Sequence, residues 1–354
     1  SHRNCAWCGL QDEVSMTSLP LAITTGDPGG VGPEISLRVA LAEREVERLV
    51  VFGDAAWLHE RAMALGAPAS ALRDCSSEGP YPLAAGELGL CDVGVRWDAE
   101  ALAHRASPQG GRAQLRTLDV AIAAARAGHV RALVTAPMSK EAVQLGNRAV
   151  AFRGHTEHLA QAVGLHDDDV TMLFLGPTLR VGLVTTHISI AVAPAEITLP
   201  RVLRTVRHTA EALQRCLPDK PVLRLGVTGL NPHAGESGLF GDEELHVISP
   251  AMRAAAQLPP FADGRVELLG PIPAETAFRV AAKGELDGLV AMLHDQATIA
   301  SKLLDWGSAV NVTWGLPFVR TSVDHGVAYA AAQSGEIDHS GMAAALELAR
   351  RLSS

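Results

Sequence analysis

The sequence predicts an α/β fold in which a parallel sheet is layered with helices. Three observations lead to this class. Short apolar runs alternate with amphipathic stretches along most of the 354 residues. Hydrophobic residues make up 47% of the chain but aromatic residues only 4%, a balance that suits helices on a sheet better than an all-β sandwich. The length favours two lobes, each with its own core.

Seven strands are predicted because their apolar character is nearly continuous, as in strands buried on both faces. They are Leu21–Thr25, Leu49–Phe52, Ala132–Thr135, Thr171–Leu175, Val181–Thr185, Leu223–Val227 and Gly288–Leu293. Two further short strands are expected at Val310–Thr313 and Phe318–Thr321. Strands that alternate with helices through short turns imply parallel pairing and crossover connections.

Two helices and one glycine-rich turn complete this framework. Arg201–Leu217 and Leu115–Ala127 have apolar residues at three- and four-residue spacing, and Gly128 ends the second helix. The first strand runs into Gly26–Glu34, where Pro33 suits the first turn of a helix. Two interpretations are open: the backbone N–H groups of this turn bind an anion or polar ligand, or the turn only joins strand to helix.

Charge and hydropathy argue against several classes of partner. The net charge is −9 and no block of Lys and Arg occurs, which argues against nucleic acid or an anionic membrane surface. Every apolar run is broken within about ten residues, short of the ~20 that a spanning helix needs. The sequence therefore predicts a protein that binds neither nucleic acid nor membrane.

The five cysteines are an odd number scattered along the chain, namely Cys5, Cys8, Cys75, Cys91 and Cys216. This pattern predicts free thiols in a reducing compartment, and hence a cytoplasmic location. Residues 1–16 are interpreted as a leader or an added upstream segment, with Met16 as the natural start. A redox or zinc role for Cys5-x-x-Cys8 is the alternative.

Three histidines, His187, His233 and His294, each follow a predicted strand. The carboxyl ends of strands form the ligand crevice of open α/β sheets, so these imidazoles could converge on one divalent cation. Each alone would be an ordinary surface or hydrogen-bonded histidine, but their shared position favours a metal site. Asp295 follows His294 and is either a base or partner of the histidine, or the cap of the next helix.

Two further clusters suit a phosphorylated substrate. His155 and Thr156 follow a glycine and offer donors at a predicted helix start. Lys302, Asn311 and Arg320 recur at nine-residue intervals among short strands and turns. A lysine point charge and a two-pronged guanidinium together bind a dianion. The alternative is a solvated lysine and a surface ion-paired arginine.

Eight motifs, in order, span nearly all of the chain from Leu19 onward. They are Gly26–Glu34, Val134–Lys140, Gly154–Glu157, Thr185–His187, Gly229–Glu236, Gly270–Thr276, Leu293–Gln296 and Gly315–Gly326. Together these motifs resemble those of the 4-hydroxythreonine-4-phosphate dehydrogenase family, which includes a branch of 4-phospho-D-threonate and 4-phospho-D-erythronate dehydrogenases.

The resemblance implies a two-lobed α/β/α fold similar to isocitrate and isopropylmalate dehydrogenases, assembled as a homodimer. It implies NAD(P)-dependent oxidation of 4-phosphohydroxy-L-threonine at C3, followed by decarboxylation to 3-amino-2-oxopropyl phosphate, in pyridoxal 5′-phosphate synthesis. Oxidation of 4-phospho-D-threonate or 4-phospho-D-erythronate is the alternative. A metal-dependent hydrolase and a catalytically silent phosphate-ester binding protein are rivals from other classes.

The resemblance also implies roles for individual residues. A divalent cation, most simply zinc but with magnesium, manganese and cobalt open, would be held by three histidines, one of them from across the dimer interface. The implied metal ligands are His187, His233 and His294, and the implied substrate contacts are His155, Thr156, Lys302, Asn311, Arg320 and Glu275. Asp295 and Lys302 are the expected catalytic residues, and Gly315, Asp324, His325 and Gly326 the expected cofactor contacts, with Lys140 nearby.

The expected lobes follow from this assignment. Residues 17–145 and 300–354 would form an outer lobe on the nucleotide-binding side. Residues 146–299 would form a central lobe that carries the metal site and the dimer contacts.

Overall fold

The structure is a computed structural model, and it describes residues 19–148 and 152–354. In this part of the chain twelve strands form one sheet, in the spatial order 3-4-2-1-5-12-11-6-7-10-8-9 when numbered along the sequence. They are β1 (Leu21–Thr24), β2 (Leu49–Gly53), β3 (Leu72–Cys75), β4 (Leu88–Asp92), β5 (Ala132–Thr135), β6 (Thr171–Leu175), β7 (Arg180–Leu183), β8 (Leu223–Thr228), β9 (Val266–Ile272), β10 (Gly288–Ala291), β11 (Val310–Trp314) and β12 (Val319–Ser322).

The nine predicted strands are all present, and the prediction omits β3, β4 and β9. β3 includes the exposed charged residues Arg73 and Asp74, and β9 contains Gly270 and Pro271. Neither strand therefore has the continuous apolar run by which the other nine are recognised.

Twelve α-helices are described: α1 (Gly32–Glu43), α2 (Ala55–Ala64), α3 (Pro108–Arg126), α4 (Lys140–Gly146), α5 (His155–Ala162), α6 (Ala193–Glu196), α7 (Leu199–Cys216), α8 (Ser249–Ala256), α9 (Ala274–Ala282), α10 (His294–Leu304), α11 (Tyr329–Ser334) and α12 (Ser340–Leu352). Short 3-10 segments lie at Ala69–Ala71, Asp167–Asp169 and Pro232–Gly238, and a π-helical turn at Glu244–Ile248. None of the helices in the described ranges has both the length and the apolar character needed to cross a bilayer.

The two helices predicted from periodicity are confirmed. Val202 and Val206 lie on the buried face of α7 and are inaccessible to solvent. α3 begins at Pro108, earlier than predicted, because the Ser107 side chain caps the helix by accepting a hydrogen bond of 3.0 Å from the Gly110 N–H.

The prediction of a parallel sheet is correct for both ends of the sheet and wrong for its centre. β1–β5 with β12 pair in parallel, and we call them the first half-sheet. β7–β10 also pair in parallel and form the second half-sheet. β6 and β11 lie between them and pair antiparallel with both neighbours. The turn at 176–179 connects β6 to β7, and the turn at 315–318 connects β11 to β12. Each turn has four residues, which is too short for the crossover that parallel strands need. The half-sheets consequently run in opposite directions.

Each half-sheet is buried on both faces, which confirms the α/β/α class. In β1, Leu21 and Ile23 face one core while Ala22 faces the opposite core. In β10, Leu289 and Val290 alternate in the same way between two other cores. The exact lobe boundaries given above stay a prediction.

The described cysteines agree with the predicted free thiols, because Cys75, Cys91 and Cys216 form no disulfide. Cys5, Cys8 and the interpreted leader lie outside the described residues.

Candidate active site

A cavity of about 150 Å³ lies over the antiparallel centre of the sheet, and we call it the central pocket. It adjoins a larger cavity of about 450 Å³, which shares part of its wall. Both half-sheets contribute, through the loops after β5, β7 and β12. The polar and charged side chains in its wall are Lys140, His155, Thr156, Glu157, His187, Asn311, Arg320, Ser322 and His325.

Arg320 is the fixed charge of the central pocket. Its guanidinium on β12 is almost completely buried. It donates to the hydroxyl of Thr135 at 2.7 and 3.2 Å, and to Thr313 Oγ1 at 3.0 Å. A longer contact of 3.5 Å reaches Asn311 Oδ1. Burial lowers the pKa of Arg320 to about 9, so the group stays charged at neutral pH. The alternative of a surface ion-paired arginine does not hold.

The motif Gly-His-Thr supplies the opposite wall. His155 begins α5, and its Nε2 is buried without a hydrogen-bond partner among the described residues. Burial, reinforced by the charge of Arg320, lowers the pKa of His155 well below its usual value. Thr156 Oγ1 lies 3.4 Å from Thr313 Oγ1, on the strand beside Arg320. A buried imidazole nitrogen without a partner is a group that a bound ligand would satisfy.

Lys302, predicted as a substrate contact, lies outside the residues that line the central pocket. Its ammonium is 3.2 Å from both the carbonyl oxygen and Oδ2 of Asp324, in the loop after β12. The same ammonium lies 5.9 Å from the centre of the Trp306 ring. Burial raises the pKa of Asp324 although Lys302 opposes the shift. Lys302 is thus an ion-paired residue beside the loop that carries His325 into the pocket.

Two of the three predicted metal ligands meet. β7, β10 and β8 are adjacent and parallel, so their carboxyl ends share one edge, as expected. The rings of His187 and His294 are 5.3 Å apart. Burial, followed by the charges of Lys140 and His294, lowers the pKa of His187, which favours the neutral imidazole that a metal requires. Asp295 Oδ1 is 2.7 Å from His294 Nδ1, the partner role considered above.

The third histidine, His233, does not join the pair formed by His187 and His294. It opens a run of six consecutive residues with positive φ, from 42° to 95°, ending at Gly238. Its exposed ring lies beside Phe240 and 3.8 Å from Glu236 Oε2. Within residues 19–148 and 152–354, no three His, Cys, Asp or Glu side chains gather closely enough to hold a metal. The convergence of all three histidines stays a prediction for the dimer.

Glu275 also lies outside the central pocket. It is exposed in the first turn of α9, where its Oε1 accepts a hydrogen bond of 3.2 Å from Thr276 Oγ1. α9 packs near the turn that carries His233. Glu275 and His233, which are both absent from the pocket lining, therefore belong to neighbouring segments.

The predicted cofactor contacts separate into two places. Asp324, His325 and Gly326 form the loop after β12, and the last two line the central pocket. Gly315 lies in the turn between β11 and β12, at the other end of these strands. Its φ is +100°, and a Cβ there would lie 2.6 Å from the carbonyl oxygen of Asp169. This close approach of two backbone segments explains why residue 315 is glycine. The structure places Gly315 apart from Asp324, His325 and Gly326.

The sequence reasoning did not assign Glu157 and placed Lys140 only near the cofactor. Both line the two adjoining cavities. A Cβ built on Gly154 would lie 3.0 Å from Glu157 Oε2 and 3.8 Å from Lys140 Nζ. Lys140 is the last residue of the motif Val134–Lys140, and Glu157 is the last residue of Gly154–Glu157. Their place in these motifs is the sequence signal that could have identified them as site residues.

The fold and the site together define a class: an α/β protein with a pocket built around a buried guanidinium, beside a pair of neighbouring imidazoles. A family model described as pyridoxal phosphate biosynthetic protein PdxA matches residues 45–349. The chain therefore belongs to this family, and the resemblance read from the motifs is confirmed.

Relatives match over nearly the whole length. The chain is 40% identical over 343 residues to 4-hydroxythreonine-4-phosphate dehydrogenase of Geobacter metallireducens, covering 94% of this chain and 95% of the relative. It is 40% identical over 333 residues to the enzyme of that name from Chromobacterium violaceum, covering 94% and 96%. The crystal structure of 4-hydroxythreonine-4-phosphate dehydrogenase from Klebsiella pneumoniae superposes with a TM-score of 0.77 at 36% identity, covering 95% and 100% of the two chains.

Proposed function

We propose that this chain oxidises 4-phosphohydroxy-L-threonine at C3 with NAD(P)⁺, and that the resulting β-keto acid loses carbon dioxide to give 3-amino-2-oxopropyl phosphate. The observation that carries the proposal is the buried Arg320 guanidinium, whose hydrogen bonds go to the neutral side chains of Thr135, Thr313 and Asn311. A buried cation of this kind is matched by an anionic ligand group. The names of the family and of its relatives support the same reaction.

The substrate phosphate is assigned to Arg320, Asn311, His155 and Thr156. His155 Nε2 and the guanidinium would hold it from opposite walls, fixing the reacting carbon through binding energy at the far end of the substrate. Lys302 is proposed to reach the same substrate from its position beside Asp324.

A divalent cation is assigned to His187 and His294 of one subunit and to His233 of the partner subunit. The donor set fits, because two imidazoles already lie 5.3 Å apart and neutral imidazole is a ligand for zinc and other divalent ions. When bound, such an ion lowers the pKa of a coordinated hydroxyl and stabilises negative charge on oxygen. Glu275 of the partner subunit would arrive with His233. This assignment requires the homodimer, which is part of the proposal.

Asp295 is the proposed base. Its carboxylate is held beside His294 Nδ1, so it can accept the proton of the C3 hydroxyl while hydride leaves C3 for the nicotinamide. Asp324, His325 and Gly326 are the proposed contacts of NAD or NADP. We expect the enzyme in the cytoplasm.

The test combines substrates and cofactors in one assay. The purified protein is incubated with NAD⁺ or NADP⁺ and 4-phosphohydroxy-L-threonine, 4-phospho-D-threonate or 4-phospho-D-erythronate, with and without a chelator. We expect reduced cofactor and carbon dioxide with the first substrate, and loss of both with chelator. Turnover of only the sugar-acid phosphates would transfer the chain to the alternative branch. Phosphate release without nicotinamide would indicate a hydrolase, and binding without turnover a silent binding protein.

A further inference from the structure

The glycine-rich turn after β1 uses its backbone donors internally. The Asp27 N–H donates to the Pro137 carbonyl oxygen at 3.0 Å, and the Val31 N–H donates to the Val327 carbonyl oxygen at 3.0 Å. The Gly29 N–H donates to Asp27 Oδ1 at 2.9 Å. These groups are not available to an anion, so the interpretation of the turn as a junction is the better one.

The turn after β1 contacts the two loops that form walls of the central pocket. Pro137 belongs to the loop after β5, which leads to Lys140, and Val327 directly follows the pocket residues His325 and Gly326. The approach is close on both sides. A Cβ on Gly26 would lie 2.1 Å from the Pro137 carbonyl oxygen, and one on Gly30 would lie 2.6 Å from that of Val327. Both positions therefore require glycine.

A buried carboxylate connects the same two walls. Asp27 is 1% exposed. Its Oδ2 accepts hydrogen bonds from the Tyr329 hydroxyl at 2.7 Å and from Gln114 Nε2 at 3.0 Å. The Gln114 side-chain oxygen in turn accepts from the Ser139 N–H at 2.8 Å. Tyr329 fixes the segment after β12, and Ser139 immediately precedes Lys140.

We infer that Asp27 is a positioning residue, which holds the loop 323–328 in place through Tyr329 and aligns it with the loop 136–140 through Gln114. The role in alignment does not depend on the reaction. Its consequence for cofactor binding rests on the proposed function, because His325 and Gly326 are proposed to contact the nicotinamide nucleotide.

The direct test is amide hydrogen exchange of the ligand-free protein. Tyr329→Phe removes only the hydroxyl, and loss of a hydrogen bond to a charged acceptor should speed exchange in 323–328 about tenfold or more. Asp27→Asn should affect both 323–328 and 136–140. Tyr81→Phe is the control, since it removes the same hydroxyl from a tyrosine that is buried in a core with Phe52, whereas Tyr329 is half-buried. It should leave both loops unchanged. Unchanged exchange of 323–328 in Tyr329→Phe, or a uniform increase along the chain, would overturn the inference.

Kinetics provide a second readout that a purely structural role would not move. Tyr329→Phe should raise the KM for the nicotinamide nucleotide several-fold with little change in kcat. A lower kcat at unchanged KM would mean only a smaller folded fraction, and would count against positioning. If the protein has no dehydrogenase activity, the exchange measurement still decides the inference, so its failure and that of the proposed function are distinguishable.

Discussion

The central pocket and the edge of the second half-sheet that carries the histidines are built in different ways. The pocket groups Arg320 and Thr313 stand on sheet strands, and Thr135 ends a third strand beside them. The histidines follow strands and do not stand on them: His294 begins α10, and His233 is exposed on an irregular turn. The groups around Arg320 come together within one chain, whereas His233 does not join His187 and His294 in the described residues. Under the proposed function, this difference makes substrate anchoring a property of the single chain and the metal centre a property of the dimer.

The turn that carries His233 has a conformational cost. Four of its six residues with positive φ are not glycine, and each of these four costs on the order of 1 kcal/mol or more. Glu244 fixes the start of this turn. Its Oε1 accepts hydrogen bonds from the N–H groups of Leu230 and Asn231 at 2.7 and 2.8 Å. Strain that is maintained in this way is typical of functional positions.

The largest expected effect tests whether the metal centre is shared. His187→Ala and His233→Ala should each abolish activity, but co-expressed together they should recover about a quarter of wild-type activity, because half of the dimers are mixed and each mixed dimer has one intact site. The measurement is the specific activity of the co-expressed and separately purified proteins.

The control for this experiment pairs His187→Ala with His294→Ala. Both residues are proposed to come from one subunit, so no mixed dimer has an intact site and no activity should return. Recovery in both mixtures, or in neither, would contradict the proposed arrangement.

The next effect concerns the fixed charge of the pocket. Arg320→Met should raise the KM for phosphorylated substrate about 30-fold or more, equivalent to about 2 kcal/mol. The ligand-free variant should unfold at the same or a higher temperature, because a buried charge whose hydrogen bonds among the described residues go only to neutral groups is removed. Arg320→Lys should bind with intermediate affinity, since it keeps the charge but loses the fork. Equal changes for phosphorylated and unphosphorylated substrates would refute the phosphate role.

A smaller effect is expected at the exposed cation of the pocket. Lys140→Met should raise the KM for the phosphorylated substrate about fivefold, or ~1 kcal/mol. Because Lys140 is exposed, its contribution should decrease with added salt, whereas that of Arg320 should persist. Lys283→Met, which removes an exposed lysine after α9, is the control. A KM that does not respond to Lys140→Met at low salt would remove this residue from the site.

The last prediction concerns stability instead of activity, and it is a pH dependence caused by His208. Burial lowers the pKa of His208 to about 4, and its Nδ1 lies 2.9 Å from Thr171 Oγ1 at the start of β6. Below the unfolded pKa of ~6.5 the unfolded chain binds a proton that the folded chain does not. The free energy of unfolding should therefore fall as the pH drops from 6.5 towards 4, by up to about 1.4 kcal/mol per pH unit.

Denaturant unfolding at several pH values measures this dependence. His208→Gln should flatten the pH profile, while His246→Gln, at an exposed position, should leave it unchanged. An identical slope in wild type and His208→Gln would show that another group is responsible.

Much of the fold could be predicted because its strands are buried on both faces. Continuous apolar runs identify β1, β2 and β10, and the same signal is absent from β3. The antiparallel centre was not predictable from apolarity, because β6 reads like any buried strand and only the four-residue turn after it forbids a crossover.

The candidate site, like the fold, could be predicted from the sequence only in part. Residue type and position sufficed to group His155 with Arg320, because strand ends and helix starts fix where such side chains lie. The same reasoning could not place His233, since a turn of left-handed residues redirects its side chain. Sequence alone could not separate Gly315 from Asp324, His325 and Gly326, because a glycine required for close packing looks the same in sequence as one required by a ligand.

The position of β12 also constrains how this polypeptide is made. β5 pairs with β12, and the hydroxyl of Ser322 donates to the carbonyl oxygen of Thr135 across 187 residues of sequence. At ~5–20 residues per second, roughly 10–40 s pass on the ribosome between synthesis of these two strands. During that interval one edge of β5 has no partner from the first half-sheet, and the emerging chain presents an unsatisfied strand that would pair with other nascent chains. Chaperone demand during translation should therefore be greatest before β12 emerges.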